Sequence, residues 1–239
     1  MQLITITGGR TLHGRIRPAA AKNSVLPLLA ATLLCRTPSR LRAVPPLADV
    51  ATSLALLQSV GAKAERQGSD LFVAPGQDLQ GEIPDYLAGA MRSSVFYLAP
   101  LLCRVGEVRL PLPGGCKLGP RPVDIHLAGL AAMGAQVELE GIAVTLRRRG
   151  PLHGVDFALR LPSVGATMTL MMAATQAGGT TILRGAACEP EICDLANFLR
   201  ACGAHITGAG TPVVVIQGGK PLQGTAWTPL PDRIAAATY

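Results

Sequence analysis

The sequence predicts an α/β fold made of three copies of one helix–strand–helix–strand–strand unit, related by a pseudo-threefold axis. A Gly-Ala motif recurs at Gly61, Gly134 and Gly203, at intervals of about 70 residues, and a fixed internal period indicates a repeat architecture. Each copy of the motif follows an amphipathic helical pattern and precedes a strand pattern. Because each unit also begins with an apolar helix, stacking the units around an axis would bury those helices together.

The first unit shows the predicted elements in order. Its apolar helix, over residues 26–34, leads to a short strand at 39–41, and a strand at 71–73 comes last. Between them, apolar residues recur at the three- and four-residue steps of one helical face: Val50, Leu54, Leu57 and Val60.

The other two units repeat this order. The second has an apolar helix over residues 91–102, a strand over 107–110 and a strand pattern over 137–146. The third has the corresponding elements at residues 168–176, 180–183 and 213–216. Its amphipathic helix places four apolar residues on one face: Ile192, Leu195, Ala196 and Leu199.

Polar residues at the ends of the amphipathic helices support this division. We expect Asp49, Asp124 and Asp194 to open these helices, because a carboxylate accepts the unpaired N–H groups of a first turn. The glycine of each Gly-Ala motif supplies a left-handed C-cap. No strand is followed by a dinucleotide fingerprint or a P-loop, so the alternative of an ordinary doubly wound nucleotide-binding domain is not indicated.

The composition favours a globular protein with an anionic ligand. Hydrophobic residues make up 49% of the 239 residues and charged residues only 15%, which is enough to bury a real core. The formal charge of +7 favours anionic partners. The densest basic run, Arg147-Arg148-Arg149, reads as a solvated turn. Aromatic residues do not interleave with it, so nucleic-acid binding has no support.

Cysteine spacing and hydropathy argue against a metal site, secretion or membrane insertion. The six cysteines lack the close pairs that a zinc site needs, and several lie in apolar helical patterns. The first residues alternate like a strand rather than a signal peptide, and the apolar stretch 24–35 is too short to span a bilayer. We therefore expect a cytoplasmic protein with reduced thiols and no membrane association.

The segment around Cys116 is the strongest candidate for chemistry. Two glycines precede this cysteine and a Gly-Pro pair follows it, which predicts a loop tip, and Lys117 would favour its thiolate. Arg121 and Pro122 then lead into a helix, so a cation and helix N–H groups could share one anion. The spacing alone leaves open whether Cys116 is reactive or a passive loop thiol.

The first helix of each unit begins with a residue that can bind an anion. These residues are Lys22, Arg92 and Ser163, the last with Thr167 close by. The symmetry would bring the three helix beginnings to one end of the domain, where a polyanionic ligand fits. The alternatives are a simply solvated Lys22 and a Ser163 that only caps its helix. His126, near the Cys116 segment, is a further candidate lining residue.

Five motifs occur in order along the whole chain. They are Lys22-Asn23, the Gly114-Gly115-Cys116 loop with Arg121-Pro122-Val123-Asp124, Pro162-Ser163-Val164-Gly165-Ala166-Thr167, Glu189-Pro190-Glu191-Ile192, and Pro231-Asp232-Arg233-Ile234. Together they resemble the enolpyruvyl transferase family, and the cysteine loop resembles the branch that acts on UDP-N-acetylglucosamine. The shikimate-pathway branch shares the fold but lacks this loop.

The resemblance implies an inside-out α/β barrel: two domains, each of three repeats with helices at the centre. Residues 1–21 would be strands of a second domain that is absent here, residues 22–230 the catalytic-loop domain, and residues 231–239 the start of the crossover. Family members are about twice as long, so the second domain would have to act in cis or in trans.

The implied reaction transfers the enolpyruvyl group of phosphoenolpyruvate to the 3-hydroxyl of UDP-N-acetylglucosamine, the first committed step of peptidoglycan precursor synthesis and a fosfomycin target. Cys116 would be the proton donor, Asn23 would position the reactants, and Lys22, Arg92 and Arg121 would neutralise anionic charge. The resemblance implies no metal or organic cofactor. The residues implied in holding the UDP-sugar are Arg121, Pro122, Val123, Asp124, Ile125 and His126, with Leu161, Pro162, Ser163, Val164 and Gly165.

The chain departs from the family pattern at several positions. Ala20 stands where Gly is usual, Ala235 and Ala237 stand where Glu and Gly are common, and Leu161 replaces a residue that is often polar. The alternative interpretation is therefore a non-catalytic, truncated relative that binds a UDP-sugar or a partner protein.

Overall fold

The structure, a computed structural model, describes residues 3, 5, 8, 9, 11, 13–111 and 123–238. The first unit has the predicted order of elements. Its elements are α1 (Lys22–Thr32), β1 (Ser39–Leu41), α2 (Ala48–Ser59), β2 (Lys63–Gln67) and β3 (Asp70–Ala74).

The second unit differs from prediction in its first helix. Its elements are α3 (Asp85–Ala90), a 3-10 helix (Arg92–Tyr97), α4 (Leu98–Val105), β4 (Glu107–Pro111), α5 (Asp124–Ala132), β5 (Gln136–Glu140) and β6 (Ala143–Arg147). The single helix expected over residues 91–102 is thus a 3-10 helix followed by α4. Pro100 favours a new α-helix at this point, since a proline in the first turn loses no helical hydrogen bond. The short α3 was not predicted.

The third unit again follows the predicted order. Strand β7 (Asp156–Ala158) precedes the unit. The elements of the unit are α6 (Val164–Gln176), β8 (Thr180–Arg184), α7 (Pro190–Ala201), β9 (His205–Thr207) and β10 (Val213–Gln217), and β11 (Ala226–Trp227) and α8 (Arg233–Thr238) follow it. The glycines of the three Gly-Ala motifs have φ values of 94°, 101° and 109°, the left-handed geometry expected after a helix.

The described strands form three separate sheets, and the segments between the units link these sheets into a closed ring. Each unit pairs its own strands antiparallel, in the orders β1-β3-β2, β4-β6-β5 and β8-β10-β9. The segment that follows each unit then pairs in parallel with the first strand of the next: Glu82 with β4, and β7 with β8. Because β11 returns from the third unit to pair with β1, the ring closes on the first. This closure fits the predicted pseudo-threefold symmetry.

The first helices of the units form the buried centre of the molecule. Every residue of α1 from position 24 onward is buried, and so is every residue of α6 from 166 to 175. The 3-10 helix packs against both α1 and α6, while α7 packs against the same two helices from the side. Helices therefore lie at the centre and strands outside, as the resemblance implied.

The predicted role of Asp194 as a helix opener is wrong. Helix α7 begins at Pro190, so Asp194 lies one turn inside it, and it is only 8% exposed. Its carboxylate accepts hydrogen bonds from the hydroxyl of Ser24 in α1, from Trp227 Nε1 at 3.0 Å and from Leu230 N at 3.3 Å. Asp194 thus joins the third unit to the first.

The three arginines at the end of β6 do not all lie in the solvated turn that the sequence predicts, because two of them contact other parts of the chain. Arg147 pairs with Glu107 at 3.0 Å. Arg148 donates hydrogen bonds to the carbonyls of Leu102 at 2.9 Å and Cys103 at 3.1 Å. The guanidinium of Arg148 therefore satisfies carbonyl groups in the last turn of α4, which is a common role for a cation at a helix C-terminus.

Candidate functional site

The beginnings of α5 and α6 lie side by side. Arg160, just before α6, contacts Asp124 Oδ2 with its Nη2 at 2.6 Å and its Nε at 3.1 Å, and this ion pair holds the pKa of Asp124 below its usual value. Close by, a Cβ added to Gly165 would stand 2.8 Å from His126 Nε2, so only glycine accommodates the ring there without a shift. The two segments implied in sugar-nucleotide binding, 123–126 and 161–165, therefore meet.

The first turn of α6 combines a capping hydroxyl with free backbone donors. Ser163 Oγ accepts a hydrogen bond from Ala166 N at 3.3 Å, so Ser163 caps the start of α6, as the alternative interpretation of its sequence position predicts. Thr167 does not offer its hydroxyl to a ligand, because its buried Oγ1 accepts from Ala187 N at 3.1 Å. The N–H groups of Val164 and Gly165 precede the first helical hydrogen bond and can still donate to an anion.

His126 is a buried polar side chain without a partner among the described residues. The residue is 6% exposed, and neither ring nitrogen makes a hydrogen bond there. Burial lowers the pKa of His126 to about 4; the Val123 carbonyl, which lies close to the ring without forming a well-oriented hydrogen bond, and the charge of Asp124 oppose this. The imidazole is therefore neutral at pH 7, and it can donate one hydrogen bond and accept another at the junction of α5 and α6.

The buried neutral His126 predicts a loss of stability in acid. Its folded pKa of about 4 lies below the value of 6.5 for a free histidine, so the unfolded chain binds the proton first. The contribution of His126 to stability should fall as the pH drops below 6.5 and should level off near pH 4, below which protonation of carboxylates such as Asp124 lowers stability further. At about 1.4 kcal/mol for each pH unit between these values, we expect a loss of about 3 kcal/mol, measured by urea unfolding across this range.

Glutamine variants isolate the contribution of His126. His126→Gln removes the titrating ring, so its unfolding free energy should depend less on pH than that of the unchanged chain. His153→Gln is the matched control, because His153 is exposed and should leave the pH dependence unchanged. Equal pH dependence for His126→Gln and the unchanged chain would show that His126 does not resist protonation.

Lys22 is the first residue of α1 and forms an ion pair with Asp49, for which the sequence predicts only a role at the start of α2. Its Nζ lies 2.9 Å from Asp49 Oδ2, and both side chains are partly exposed, at 48% and 35%. Asp49 lies in the first turn of α2, as predicted, but a role in holding Lys22 was not foreseen. Asn23 is exposed beside Lys22. The ammonium group is therefore held at the surface, within reach of a ligand.

The beginnings of α1 and α6 lie at the same end of the molecule. The opposite ends of α1, α4 and α6 converge on a cavity of about 320 Å³ lined by Leu34, Arg104 and Gln176, among others. At 1.5 Å per residue, α1 and α6 carry their first residues roughly 16–20 Å from that cavity. Arg92 is half-buried at the start of the 3-10 helix, and its place beside Lys22 and Ser163 stays a prediction.

Three predicted site residues, Cys116, Arg121 and Pro122, lie outside the described residues, so their roles stay predictions. In the described part of the chain, no group of histidine, cysteine and acidic side chains could hold a metal ion. No helix there has the length and hydrophobicity needed to cross a membrane.

Curated proteins with similar sequences carry one common name. The chain is 47% identical over its full length to a UDP-N-acetylglucosamine 1-carboxyvinyltransferase of Oleidesulfovibrio alaskensis, and it covers 57% of that protein. Proteins of the same name from Cellvibrio japonicus and Gloeobacter violaceus are 45% and 46% identical over 100% and 99% of the chain, which covers 57% and 51% of them. The chain thus spans about half the length of the curated relatives it matches.

Solved structures show the same fold. The enolpyruvyl transferase NikO from Streptomyces tendae superposes with a TM-score of 0.83 at 25% identity, over 97% of this chain and 55% of its own. An EPSP synthase from Acinetobacter baumannii gives a TM-score of 0.75 at 19% identity, over 94% and 51%, a likeness of fold alone. The family model for EPSP synthase (3-phosphoshikimate 1-carboxyvinyltransferase) matches residues 6–239. The chain therefore belongs to this family, the enolpyruvyl transferases.

Proposed function

We propose that this chain serves the transfer of the enolpyruvyl group from phosphoenolpyruvate to the 3-hydroxyl of UDP-N-acetylglucosamine, which commits the sugar to peptidoglycan synthesis. The observation that carries the proposal is the shared name of relatives that are 44–47% identical along almost the whole chain. The junction of α5 and α6 supports it, because two separate segments implied in sugar-nucleotide binding meet there.

In this proposal, the cations at the helix beginnings act on the charge of phosphoenolpyruvate. The sugar hydroxyl adds to C2 while C3 gains a proton, and the resulting ketal then loses phosphate. Lys22, Arg92 and Arg121 balance the phosphate and carboxylate charges through these steps, and Cys116 supplies the proton. The Asp49 contact supports the role of Lys22, because it limits the positions that the ammonium group can take.

The UDP-sugar would lie against the beginnings of α5 and α6. The N–H groups of Val164 and Gly165 are available to a diphosphate oxygen, and the dipole of the 13-residue α6 favours negative charge there. The neutral His126 could then satisfy its ring nitrogens with the uridine or with ordered water. The ion pair between Arg160 and Asp124 holds the two segments at a fixed separation.

We further propose that the reaction needs a second three-unit domain, in cis or in trans. Residues 19–21 lie beside 230–232: Ala21 N donates to Leu230 O at 2.9 Å, and Asp232 N donates to Ala19 O at 2.8 Å. Two adjacent connections of this kind suit a domain boundary near residues 21 and 231. The chain alone would then bind UDP-N-acetylglucosamine weakly and turn over poorly. The free thiols among the described residues fit a reducing compartment, which we take to be the cytoplasm.

Covalent labelling of Cys116 tests the proposed function. After incubation with phosphoenolpyruvate or fosfomycin, mass spectrometry should find one adduct, located on Cys116, because nearby cations bind the anion and favour the thiolate. Cys188→Ser removes an exposed thiol as a control and should label normally, whereas Cys116→Ser should not label. Labelling of Cys188 in place of Cys116, or none at all, would instead favour the non-catalytic relative that binds a UDP-sugar or a partner protein.

A further inference from the structure

Two buried cysteines from different units touch at the end of the molecule opposite the proposed substrate site. Cys35 follows α1 in the first unit, and Cys202 follows α7 in the third. Their Sγ atoms are 3.7 Å apart, and the residues are 0% and 2% exposed. No other pair among the described cysteines makes a sulfur–sulfur contact. The contact joins residues that are far apart in the chain, at the seam where the ring of units closes.

The surroundings favour a thiolate at Cys35. Arg104 donates to the Cys35 carbonyl at 3.1 Å and to the Leu33 carbonyl at 2.6 Å, so its positive charge is fixed beside the pair. The thiol of Cys202, the hydroxyl of Ser39 and the charge of Arg104 together lower the pKa of Cys35, against the effect of burial. The same contact and burial raise the pKa of Cys202.

The other described cysteines lack this combination. Cys103 also lies near an arginine, but burial raises its pKa to about 12, so it is a poor nucleophile. Cys188 is exposed and contacts only the Ala186 carbonyl, at 3.6 Å. The sulfur–sulfur contact therefore distinguishes the pair formed by Cys35 and Cys202 from Cys103 and Cys188.

A cavity lies beside the residues that flank the pair. This cavity of about 320 Å³, at the ends of α1, α4 and α6, is lined by Leu34, Cys103, Arg104 and the segment 219–222, among others. That segment lies directly against both cysteines: Leu222 pairs with Cys35 as an isolated parallel bridge, and the next residue donates from its N–H to the Cys202 carbonyl at 2.8 Å. The chain that lines the cavity thus continues directly into backbone contact with both cysteines.

We propose that Cys35 and Cys202 are a modification site, at which hydrogen peroxide forms a disulfide between the first and third units. The Cys35 thiolate attacks one peroxide oxygen, the O–O bond breaks, and a sulfenic acid and hydroxide form. The Cys202 sulfur then attacks the Cys35 sulfur, the S–O bond breaks, and the departing hydroxide takes the Cys202 proton as water. In total, two thiols lose two electrons and two protons, and the peroxide becomes two waters.

The sulfur atoms can close to bonding distance with a modest local movement. A disulfide needs an S–S separation of about 2.05 Å, so the two Sγ atoms must approach by roughly 1.7 Å. Cys35 lies three residues beyond α1 and Cys202 is the C-cap residue of α7, so neither lies inside a helix. The bond would reinforce the seam between α1 and α7 that Asp194 and Ser24 also hold. Because it closes a long loop of chain, it should stabilise the fold against unfolding.

Oxidation of the folded chain tests the proposal. The chain is treated with hydrogen peroxide under native conditions, quenched with an alkylating reagent and then unfolded for peptide mapping. We expect a mass lower by about 2 Da for the bond itself, one linked pair of peptides containing Cys35 and Cys202, and reversal by a phosphine reductant. The oxidised chain should also unfold at a higher urea concentration than the reduced chain.

Variants distinguish this bond from other oxidation. Cys35→Ala and Cys202→Ala should each lose the linked peptides and the gain in urea midpoint, while Cys188→Ser and Cys103→Ala should keep both. Circular dichroism before oxidation verifies that each variant is folded. If Cys35 and Cys202 of the unchanged, folded chain both stay alkylatable after peroxide treatment, or if the linkage involves other cysteines, the proposal is wrong. None of these measurements depends on enolpyruvyl transfer.

Discussion

Replacing Asp194 with alanine should lower the free energy of unfolding by about 3 kcal/mol or more, which is a large share of the stability of a domain. The carboxylate is buried and accepts hydrogen bonds from Ser24, Trp227 and Leu230. Alanine would leave these donors without an acceptor at the seam between the third and first units. It would also loosen Trp227, whose ring packs edge-on against Phe198 at 6.2 Å.

Urea unfolding followed by circular dichroism and by the fluorescence of the single tryptophan, Trp227, measures this loss. Asp194→Asn keeps one acceptor oxygen and should lose less than the alanine variant. Asp156→Ala is the matched control, because Asp156 is exposed and its ion pair with Arg184 should contribute little. If Asp194→Ala unfolds at the same urea concentration as Asp156→Ala, the seam does not depend on this carboxylate.

The three units and most of their elements could be predicted because their signals are local. A glycine with a positive φ must follow each amphipathic helix, and the residues that follow it alternate, so the repeats can be recognised in the sequence. The burial of α1 and α6 also follows from their composition, since neither has a polar face wide enough to meet water. The break before α4 had a local signal in Pro100, which could have been used.

The closure of the ring could not be predicted from local patterns. Strand β11 has only the two residues Ala226–Trp227, and it pairs with β1, which lies in the first unit at the other end of the chain. No periodicity in either segment encodes that pairing. The roles of Asp194 and Cys202 depend on the same closure. For that reason local patterns favour Asp194 as the helix opener, although Pro190 is the better signal for the first turn of α7.

At the candidate site, the sequence indicated the helix beginnings but not the contacts between them. The resemblance implies that residues 123–126 and 161–165 share a ligand; the structure places the two segments side by side, and the shared ligand stays a prediction. The sequence does not predict the partners Arg160 and Asp49, since an ion pair between residues far apart in the chain leaves no spacing rule. The burial of His126 was missed for a similar reason: it depends on Gly165 of another unit.

Replacing Lys22 with methionine should slow the labelling of Cys116 by phosphoenolpyruvate about 100-fold while leaving the fold intact. Methionine keeps most of the length of the side chain but removes the positive charge that the proposed reaction uses against the phosphate and carboxylate. Because the pair between Lys22 and Asp49 is partly exposed, its loss should hardly change the urea midpoint. Labelling rates measured over a range of phosphoenolpyruvate concentrations separate weaker binding from slower reaction.

The matched control is Lys63→Met, which removes an exposed lysine from β2 and should label at the normal rate. Asp49→Asn tests the positioning of Lys22: the ammonium group stays but loses its ionised partner, so labelling should slow by less than it does in Lys22→Met. If Lys22→Met labels as fast as Lys63→Met, the cation at the start of α1 does not act on phosphoenolpyruvate. The proposed charge balance would then rest on Arg92 and Arg121 alone, and the Asp49 contact would be a surface ion pair without a role in the reaction.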